Sequence, residues 1–275
     1  MNGGRLQIGV FDSGFGGLTV LRALLRLIRG VDFVYLGDTA RLPYGSKSQA
    51  TIARYALSST HFLIDQGADF LVIACNTASA LALDDIRRST GLPVLGVIEA
   101  GVEEAGSASH TGDILVIGTD ATVGSHAYAA AARARGLRAL EKACPLLVPL
   151  VEEGWVTHPV TAEVVRIYLS ELFAQAQGEA LQPDTLVLGC THYPLLRGTI
   201  EASVPAEMRV IDSAESIAGK VAHILGKAAA PSDKDQDRIG HCRFFATDSV
   251  AKFQNLGARF LGMSIDKVEL VDLGG

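Results

Sequence analysis

Two stretches of the sequence have the same design, an apolar strand that ends in a cysteine followed by polar residues. They are Leu71–Ser79 (LVIACNTAS) and Leu186–Pro194 (LVLGCTHYP). A cysteine in this position lies at the carboxyl end of a buried strand, and open α/β sheets bind their ligands at that edge. Because the pattern occurs twice, we expect two similar α/β halves with one ligand between them.

The rest of the chain predicts an α/β fold with mostly parallel sheets. Strands alternate with helices, and many strands are continuously apolar, which is typical of sheets covered on both faces. Besides the strand before Cys75, strands are expected at 6–11, 31–36, 93–98, 112–119, 144–150, 185–189, 209–211 and 242–246. One helix is expected from Cys75 to about Ser89, and residues 228–240 are expected to form a solvated connector.

Composition excludes several classes of protein. Hydrophobic residues make up 48% of the 275 residues and the net charge is −6, so a large core is expected and a nucleic-acid partner is not. No apolar run reaches the roughly 18 residues of a membrane span. Because a secretory leader pattern is also absent, we expect a cytoplasmic protein without a membrane partner.

The four cysteines are Cys75, Cys144, Cys190 and Cys242. None forms a C-x-x-C pair and zinc-type spacing is absent, so no metal site is expected. Cys144 and Cys242 are interpreted as small buried hydrophobic residues.

The first strand leads into the glycine loop Asp12–Gly17 (DSGFGG). The loop does not match the dinucleotide pattern G-x-G-x-x-G, because the third glycine position is Thr19. A carboxylate followed by a hydroxyl suits a small molecule with an ammonium group. A helix N-cap role for Asp12 is the open alternative.

Two strand-end thiols could serve as a disulfide couple, as metal ligands, as one nucleophile with a bystander, or as two proton carriers. The spacing of Cys75 and Cys190 disfavours the first two uses. The last use, two proton carriers, is what inversion of a stereocentre requires, because one base must act on each face of the carbon. Thiols suit this task if the start of the following helix lowers their pKa modestly, so that thiol and thiolate are both accessible.

Five motifs, in order, resemble those of glutamate racemase in the aspartate/glutamate racemase superfamily. They are residues 12–17 (DSGFGG), 37–45 (GDTARLPYG), 75–78 (CNTA), 148–154 (VPLVEEG) and 189–196 (GCTHYPLL). The resemblance implies an enzyme that interconverts L- and D-glutamate without a cofactor and supplies D-glutamate for peptidoglycan precursors. It implies that Cys75 takes the α-proton of D-glutamate and that Cys190 takes that of L-glutamate.

The same resemblance implies the other site residues. Asp12 is expected to assist Cys75, His192 to assist Cys190, and Glu152 to be a weaker helper. Substrate binding is assigned to Asp12, Ser13, Tyr44, Gly45, Asn76, Thr77, Thr191 and His192. Two simpler roles stay open from the sequence, Asn76 and Thr77 as helix caps and Tyr44 as a surface turn residue.

The resemblance further implies two α/β domains related by a pseudo-twofold axis, with the active site in the cleft between them. Residues 1–97 and 210–275 are expected to form a discontinuous first domain and residues 98–209 the second. A homodimer is allowed, since members of the family are often dimers. Because only about seven residues precede the first strand, activation through an amino-terminal extension is not expected.

Three other functions compete with this one. A racemase of the same superfamily could act on aspartate or on many amino acids, although the long 37–45 motif favours glutamate. A non-catalytic amino-acid-binding module would need neither thiol. A role in binding a protein partner has no support in the sequence.

Overall fold

The computed structural model describes residues 5–228 and 240–274, so the predicted connector at 228–240 lies almost entirely outside the described residues. These residues contain ten strands and twelve α-helices, and each pair of consecutive strands up to β9 is separated by at least one helix or helical turn. The strands are β1 (Gln7–Asp12), β2 (Asp32–Gly37), β3 (Phe70–Ile73), β4 (Val94–Gly96), β5 (Asp113–Gly118), β6 (Arg138–Ala143), β7 (Thr185–Gly189), β8 (Arg209–Asp212), β9 (Cys242–Ala246) and β10 (Glu269–Leu270). The helices are α1 (Leu18–Leu27), α2 (Gln49–Asp65), α3 (Asn76–Leu81), α4 (Leu83–Ser89), α5 (Val97–Ala108), α6 (Asp120–Gly124), α7 (Ala127–Arg133), α8 (Leu147–Glu152), α9 (Pro159–Gly178), α10 (Arg197–Glu201), α11 (Ser213–Ala228) and α12 (Val250–Leu261).

The strands form two sheets, and every strand pair described is parallel. The first sheet has the order β10-β9-β2-β1-β3-β4, and the second has the order β6-β5-β7-β8. The run β2-β1-β3-β4 therefore has the same connectivity as β6-β5-β7-β8. The predicted α/β class with two similar halves is confirmed.

In both sheets the strand order reverses at a central pair, β1 with β3 and β5 with β7. A crevice forms outside the carboxyl ends of such a pair, where the connections leave in opposite directions. Cys75 follows β3 closely and Cys190 follows β7 directly. Each cysteine therefore stands at the ligand-binding edge of its own sheet.

One apolar core joins the two halves. Its largest cluster includes Val72 of the first sheet, Leu186 of the second sheet and Val221 on α11, all without exposed surface. Helix α11 packs against both α1 and α5. The predicted domain boundary at 209/210 falls inside β8, which pairs with β7, and the division into domains stays a prediction. In the described ranges, no helix is both long and apolar enough to cross a bilayer.

Two sequence predictions about elements were wrong. Residues 144–150 do not form a strand, because β6 lies earlier, at the edge of its sheet, and α8 follows it. Most of the apolar run 146–151 lies in the short helix α8. Over so few residues the hydrophobic periodicity cannot distinguish a helix from a strand. The single helix expected after Cys75 breaks at Ala82 into α3 and α4.

Candidate active site

A cavity of about 460 Å³ lies where the carboxyl edges of the two sheets meet. Both halves contribute to its wall. The predicted site residues in the wall are Ser13, Tyr44, Gly45, Cys75, Asn76, Thr77, Glu152, Cys190, Thr191 and His192. The structure thus brings together every predicted site residue except Asp12, which lies behind the wall.

Cys75 is held at the start of α3 and is almost fully buried. Its thiol donates to Ser13 Oγ at 3.4 Å, and its Sγ accepts the Ala78 N–H at 3.4 Å. Burial, and next the charge of Asp12, raise the pKa of Cys75 to about 12. The expected lowering of the pKa is therefore wrong for Cys75. Desolvation outweighs the contacts with Ser13 and the Ala78 N–H, which act to lower the pKa.

Asp12 is the last residue of β1 and only 1% exposed. Its Oδ2 accepts the Gly14 N–H at 2.8 Å, and its buried Oδ1 has no partner among the described residues. Burial raises the pKa of Asp12, while His192 and backbone amides oppose the rise. Asp12 does not occupy the N-cap of α1, which is Gly17.

Cys190 belongs to a chain of polar contacts that runs to the mouth of the cavity. Its Sγ lies 3.9 Å from His192 Nδ1, and His192 Nε2 lies 3.3 Å from Glu152 Oε1. Glu152 Oε2 lies 3.8 Å from Lys252 Nζ. Burial alone would lower the pKa of His192, but the contacts with Cys190 and Glu152 prevail and raise it to about 10. The hydrogen bond to His192 in turn lowers the pKa of Glu152.

Polar side chains connect the two halves beside the thiols. Asn76 Nδ2 donates to the buried Tyr128 hydroxyl at 2.8 Å, and Asn76 Oδ1 has no hydrogen-bond partner within the described part of the chain. Thr77 Oγ1 lies 3.1 Å from Thr119 Oγ1 and 3.2 Å from Thr122 Oγ1. The N-cap of α3 is Cys75 itself, so Asn76 and Thr77 are not its caps.

The 37–45 loop closes one end of the cavity. The Tyr44 hydroxyl donates to Oδ2 of the fully buried Asp38 at 2.6 Å, and only 1% of Tyr44 is exposed. The alternative of a surface turn residue is therefore wrong for Tyr44. Gly45 approaches the other half so closely that an added Cβ would contact Thr119 at 3.4 Å.

Sequence reasoning missed four polar wall residues, Ser46, Thr119, Asp120 and Lys252. Ser46 directly follows the 37–45 motif. Thr119 and Asp120 come directly after β5. Asp12 and Ser13 occupy the corresponding place at the end of β1. The similarity of the two halves could therefore have indicated Thr119 and Asp120 as site residues. Lys252 lies on α12 outside all the motifs, and nothing in its sequence surroundings indicates the site.

The arrangement suits proton transfer on a small zwitterion. Two thiols from different sheets share one cavity, one beside a carboxyl group and the other beside an imidazole. Hydroxyl and amide groups surround them and can bind carboxylate and ammonium groups. Among the described residues, no group of three His, Cys, Asp or Glu side chains is placed to hold a metal ion.

Comparison with known proteins gives a consistent result. The model of the family Asp/Glu/Hydantoin racemase matches residues 8–221. A glutamate racemase of Koribacter versatilis is 51% identical, over 98% of this chain and 99% of the relative. The crystal structure of glutamate racemase isoform RacE1 from Bacillus anthracis matches with a TM-score of 0.88 and 35% identity, covering 98% of both chains. That of Francisella tularensis glutamate racemase in complex with D-glutamate matches with a TM-score of 0.86 and 34% identity, again over 98% of both chains.

Proposed function

The chain belongs to the Asp/Glu/Hydantoin racemase family, and we propose that it interconverts L- and D-glutamate by moving the α-proton between two cysteines without a cofactor. The observation that carries this proposal is the placement of Cys75 and Cys190. One comes from each sheet, and both line the same 460 Å³ cavity. A binding site alone would need neither thiol.

In the L-to-D direction, the Cys190 thiolate takes the proton from Cα of L-glutamate. The electron pair of the broken C–H bond stays on Cα and is shared with the α-carboxylate. The Cys75 thiol then gives its proton to the opposite face of Cα. Cys190 ends as a thiol and Cys75 as a thiolate, which is the starting state for D-glutamate.

The charges around the two sulfurs support these roles. With its pKa at about 12, Cys75 carries a proton at neutral pH and is ready to donate it. His192, with its pKa at about 10, is an imidazolium beside Cys190 and can stabilise negative charge on that sulfur. For the reverse reaction the substrate ammonium group, held near Cys75, favours the Cys75 thiolate. Asp12 can exchange a proton near Cys75, because burial raises its pKa.

The substrate would be held by polar groups of the cavity wall. Asn76 Oδ1 is buried and has no hydrogen-bond partner among the described residues, and a small movement of its side chain would let it accept from the ammonium group. We assign the carboxylates to donors from Ser13, Thr77, Thr191 and the backbone at Gly45. Both halves line the cavity, and their closure over the substrate would exclude bulk water and strengthen these contacts.

Circular dichroism of L-glutamate, followed with purified protein under reducing conditions and no added cofactor, tests the proposal. The same assay uses D-glutamate and L-aspartate, and the variants Cys75→Ser, Cys190→Ser and Cys144→Ser. We expect the glutamate signal to decay from both directions, the two site variants to be crippled, and Cys144→Ser to stay active. A folded, reduced protein that leaves both glutamate signals unchanged would contradict the proposal.

The two-base step has its own test in D₂O. If one cysteine removes the proton and the other delivers a different one, the first product formed carries solvent deuterium at Cα while unreacted substrate keeps its hydrogen. Product that retains the original hydrogen would show that a single base acts on both faces.

The same assays separate the other functions. Decay of the aspartate signal at a comparable rate would favour a racemase of broader specificity. Stabilisation by glutamate without any turnover would favour a binding module.

The role in the cell is part of the proposal. D-Glutamate would supply peptidoglycan precursors, and expression of the chain should restore growth of a bacterial strain that lacks its own source of D-glutamate. Growth restored by the Cys75→Ser variant as well would contradict this role. The cytoplasmic location and the homodimer stay predictions.

A further inference from the structure

A second large groove lies away from the thiols, and its charge contrasts with that of the whole chain. It has a volume of about 940 Å³. Its wall carries five residues with cationic or protonatable side chains, Arg5, Arg22, Arg26, Arg29 and His241, and no carboxylate side chain. The net charge of the chain is −6, so this concentration of arginine is local.

Three of these arginines come from one helix and the residues that follow it. Arg22 and Arg26 are four residues apart on α1, so their side chains leave the same face. Arg29 lies just beyond the end of α1 and also lines the groove. Like charges at this spacing repel each other. Cations near the carboxyl end of a helix interact favourably with its dipole, but a cluster of three exceeds what one helix end requires.

Few acidic groups neutralise the arginines within residues 5–228 and 240–274. Arg5 lies 3.8 Å from Asp32, whose carboxylate also accepts the His241 N–H at 2.9 Å. Arg29 donates to the Leu25 carbonyl at 2.8 Å. In this part of the chain neither Arg22 nor Arg26 has a carboxylate within ion-pair distance, and Arg22 interacts with Asp212 only at longer range.

The wall of the groove is partly apolar. Leu25, Phe244, Leu261 and Met263 belong to it, and 55% of Met263 is exposed. A ligand for this surface combines negative charge with a flat or apolar portion. Guanidinium groups bind phosphate oxygens in a bidentate manner, which makes phosphate the better match for several arginines than a lone carboxylate.

From these observations we propose that the groove binds an organic phosphate, with its phosphate groups on Arg22, Arg26 and Arg29 and its apolar portion on Phe244 and Met263. The site is distinct from the cavity of the two cysteines. Helix α1 is ten residues long, so its arginine-bearing end lies roughly 15 Å from the end that follows the glycine loop. The inference does not depend on the racemase proposal.

Isothermal titration calorimetry of the full chain with ADP and with inorganic pyrophosphate tests this site. Saturating glutamate is present, so that the catalytic cavity is occupied. We expect ADP to bind more tightly than pyrophosphate, because only ADP covers the apolar wall, and both to weaken as salt is raised. Absence of binding by ADP at millimolar concentration would overturn the proposal.

Charge reversal identifies the groove. Arg26→Glu/Arg29→Glu should weaken the binding of ADP and of pyrophosphate about tenfold or more, while racemisation stays unchanged. The melting temperature should fall by only a few degrees, because the two carboxylates lie near the carboxyl end of α1. The matched control is Arg54→Glu/Arg133→Glu, which changes the net charge equally with two exposed arginines outside the groove. An equal loss of affinity in the control would overturn the site, since it would reflect net charge alone.

The exposed methionine tests the apolar part separately. Met263→Ser should reduce the advantage of ADP over pyrophosphate and leave pyrophosphate binding unchanged. An unaltered advantage of ADP would overturn the assignment of the apolar portion.

Discussion

At the scale of single residues, Glu152 is the group whose removal is most informative. It sustains the raised pKa of His192 together with Cys190. In Glu152→Gln the pKa of His192 falls, so the imidazolium is lost at a lower pH. We expect kcat/KM to drop about tenfold, less than for loss of a direct acid or base, and its alkaline limb to move to lower pH.

The neighbouring residue supplies the control for this measurement. Glu153 is exposed and makes no contact with His192, so Glu153→Gln should keep the rate and the pH profile of the parent chain. If Glu152→Gln lowers kcat/KM but leaves the alkaline limb of its pH profile at the same pH, a role through His192 would be contradicted.

At the scale of elements, the Tyr128 hydroxyl connects α7 of the second half with α3 of the first half. Tyr128→Phe leaves the buried Asn76 amide without its acceptor. We expect a loss of about 1–3 kcal/mol in the free energy of unfolding, measured by urea denaturation. Tyr55→Phe is the matched control, because the Tyr55 hydroxyl makes no hydrogen bond within the described residues. This variant should change the free energy of unfolding little. Equal stability of the two variants would contradict a structural role for this bond.

Helices α4 and α5 are joined by a bidentate pair between Arg87 and Glu99, with both N–O distances 2.9 Å. The hydrogen bonds from Arg87 lower the pKa of Glu99. The contribution of this pair to stability is therefore fully present above the unfolded-state pKa of Glu99, about 4.3. It is lost as the pH falls through the lower pKa that Glu99 has in the folded state.

Glu99→Gln should accordingly be less stable than the parent at pH 7, by less than about 1 kcal/mol because both side chains are over one-third exposed. The difference should vanish in acid below the folded-state pKa. Thermal unfolding across this pH range measures it, with the exposed Glu104→Gln as control. If the difference in stability between Glu99→Gln and the parent persists unchanged in acid, the loss would come from altered packing and not from the ion pair.

The elements that the sequence predicted well are the buried ones. Strand β7 was predicted with its observed bounds, because a parallel strand covered on both faces is a continuous apolar run. Strand β6 (RALEKA) was missed, because this edge strand is half charged and contains no continuous apolar run. The two cysteines could be placed in one site since both follow such buried strands. Lys252 could not, because only the packing of α12 brings it to the cavity.

At the scale of the whole molecule, Gly16 lies at a point where the two halves approach each other closely. A Cβ added there would overlap the Thr191 hydroxyl and crowd the His192 ring. Gly16→Ala should therefore separate the walls of the cavity and lower kcat/KM at least about a hundredfold, since small misplacements weaken catalysis strongly. Gly198→Ala, with open space around it, is the control. Near-normal activity of Gly16→Ala would show that the halves close less tightly during turnover.

Each sheet supplies one of the two thiols, so damage to one half could be expected to slow one direction of racemisation more than the other. The equilibrium between the enantiomers prevents this at low substrate concentration. The enantiomers of glutamate have equal free energies in water, so the equilibrium constant of their exchange is one. The values of kcat/KM in the two directions must then be equal for the parent and for every variant. Damage to either sheet can separate the two kcat values and the two KM values, but it slows both conversions by one common factor at low substrate. The net direction of flux therefore depends on which enantiomer is consumed elsewhere, and no substitution in either half can bias it.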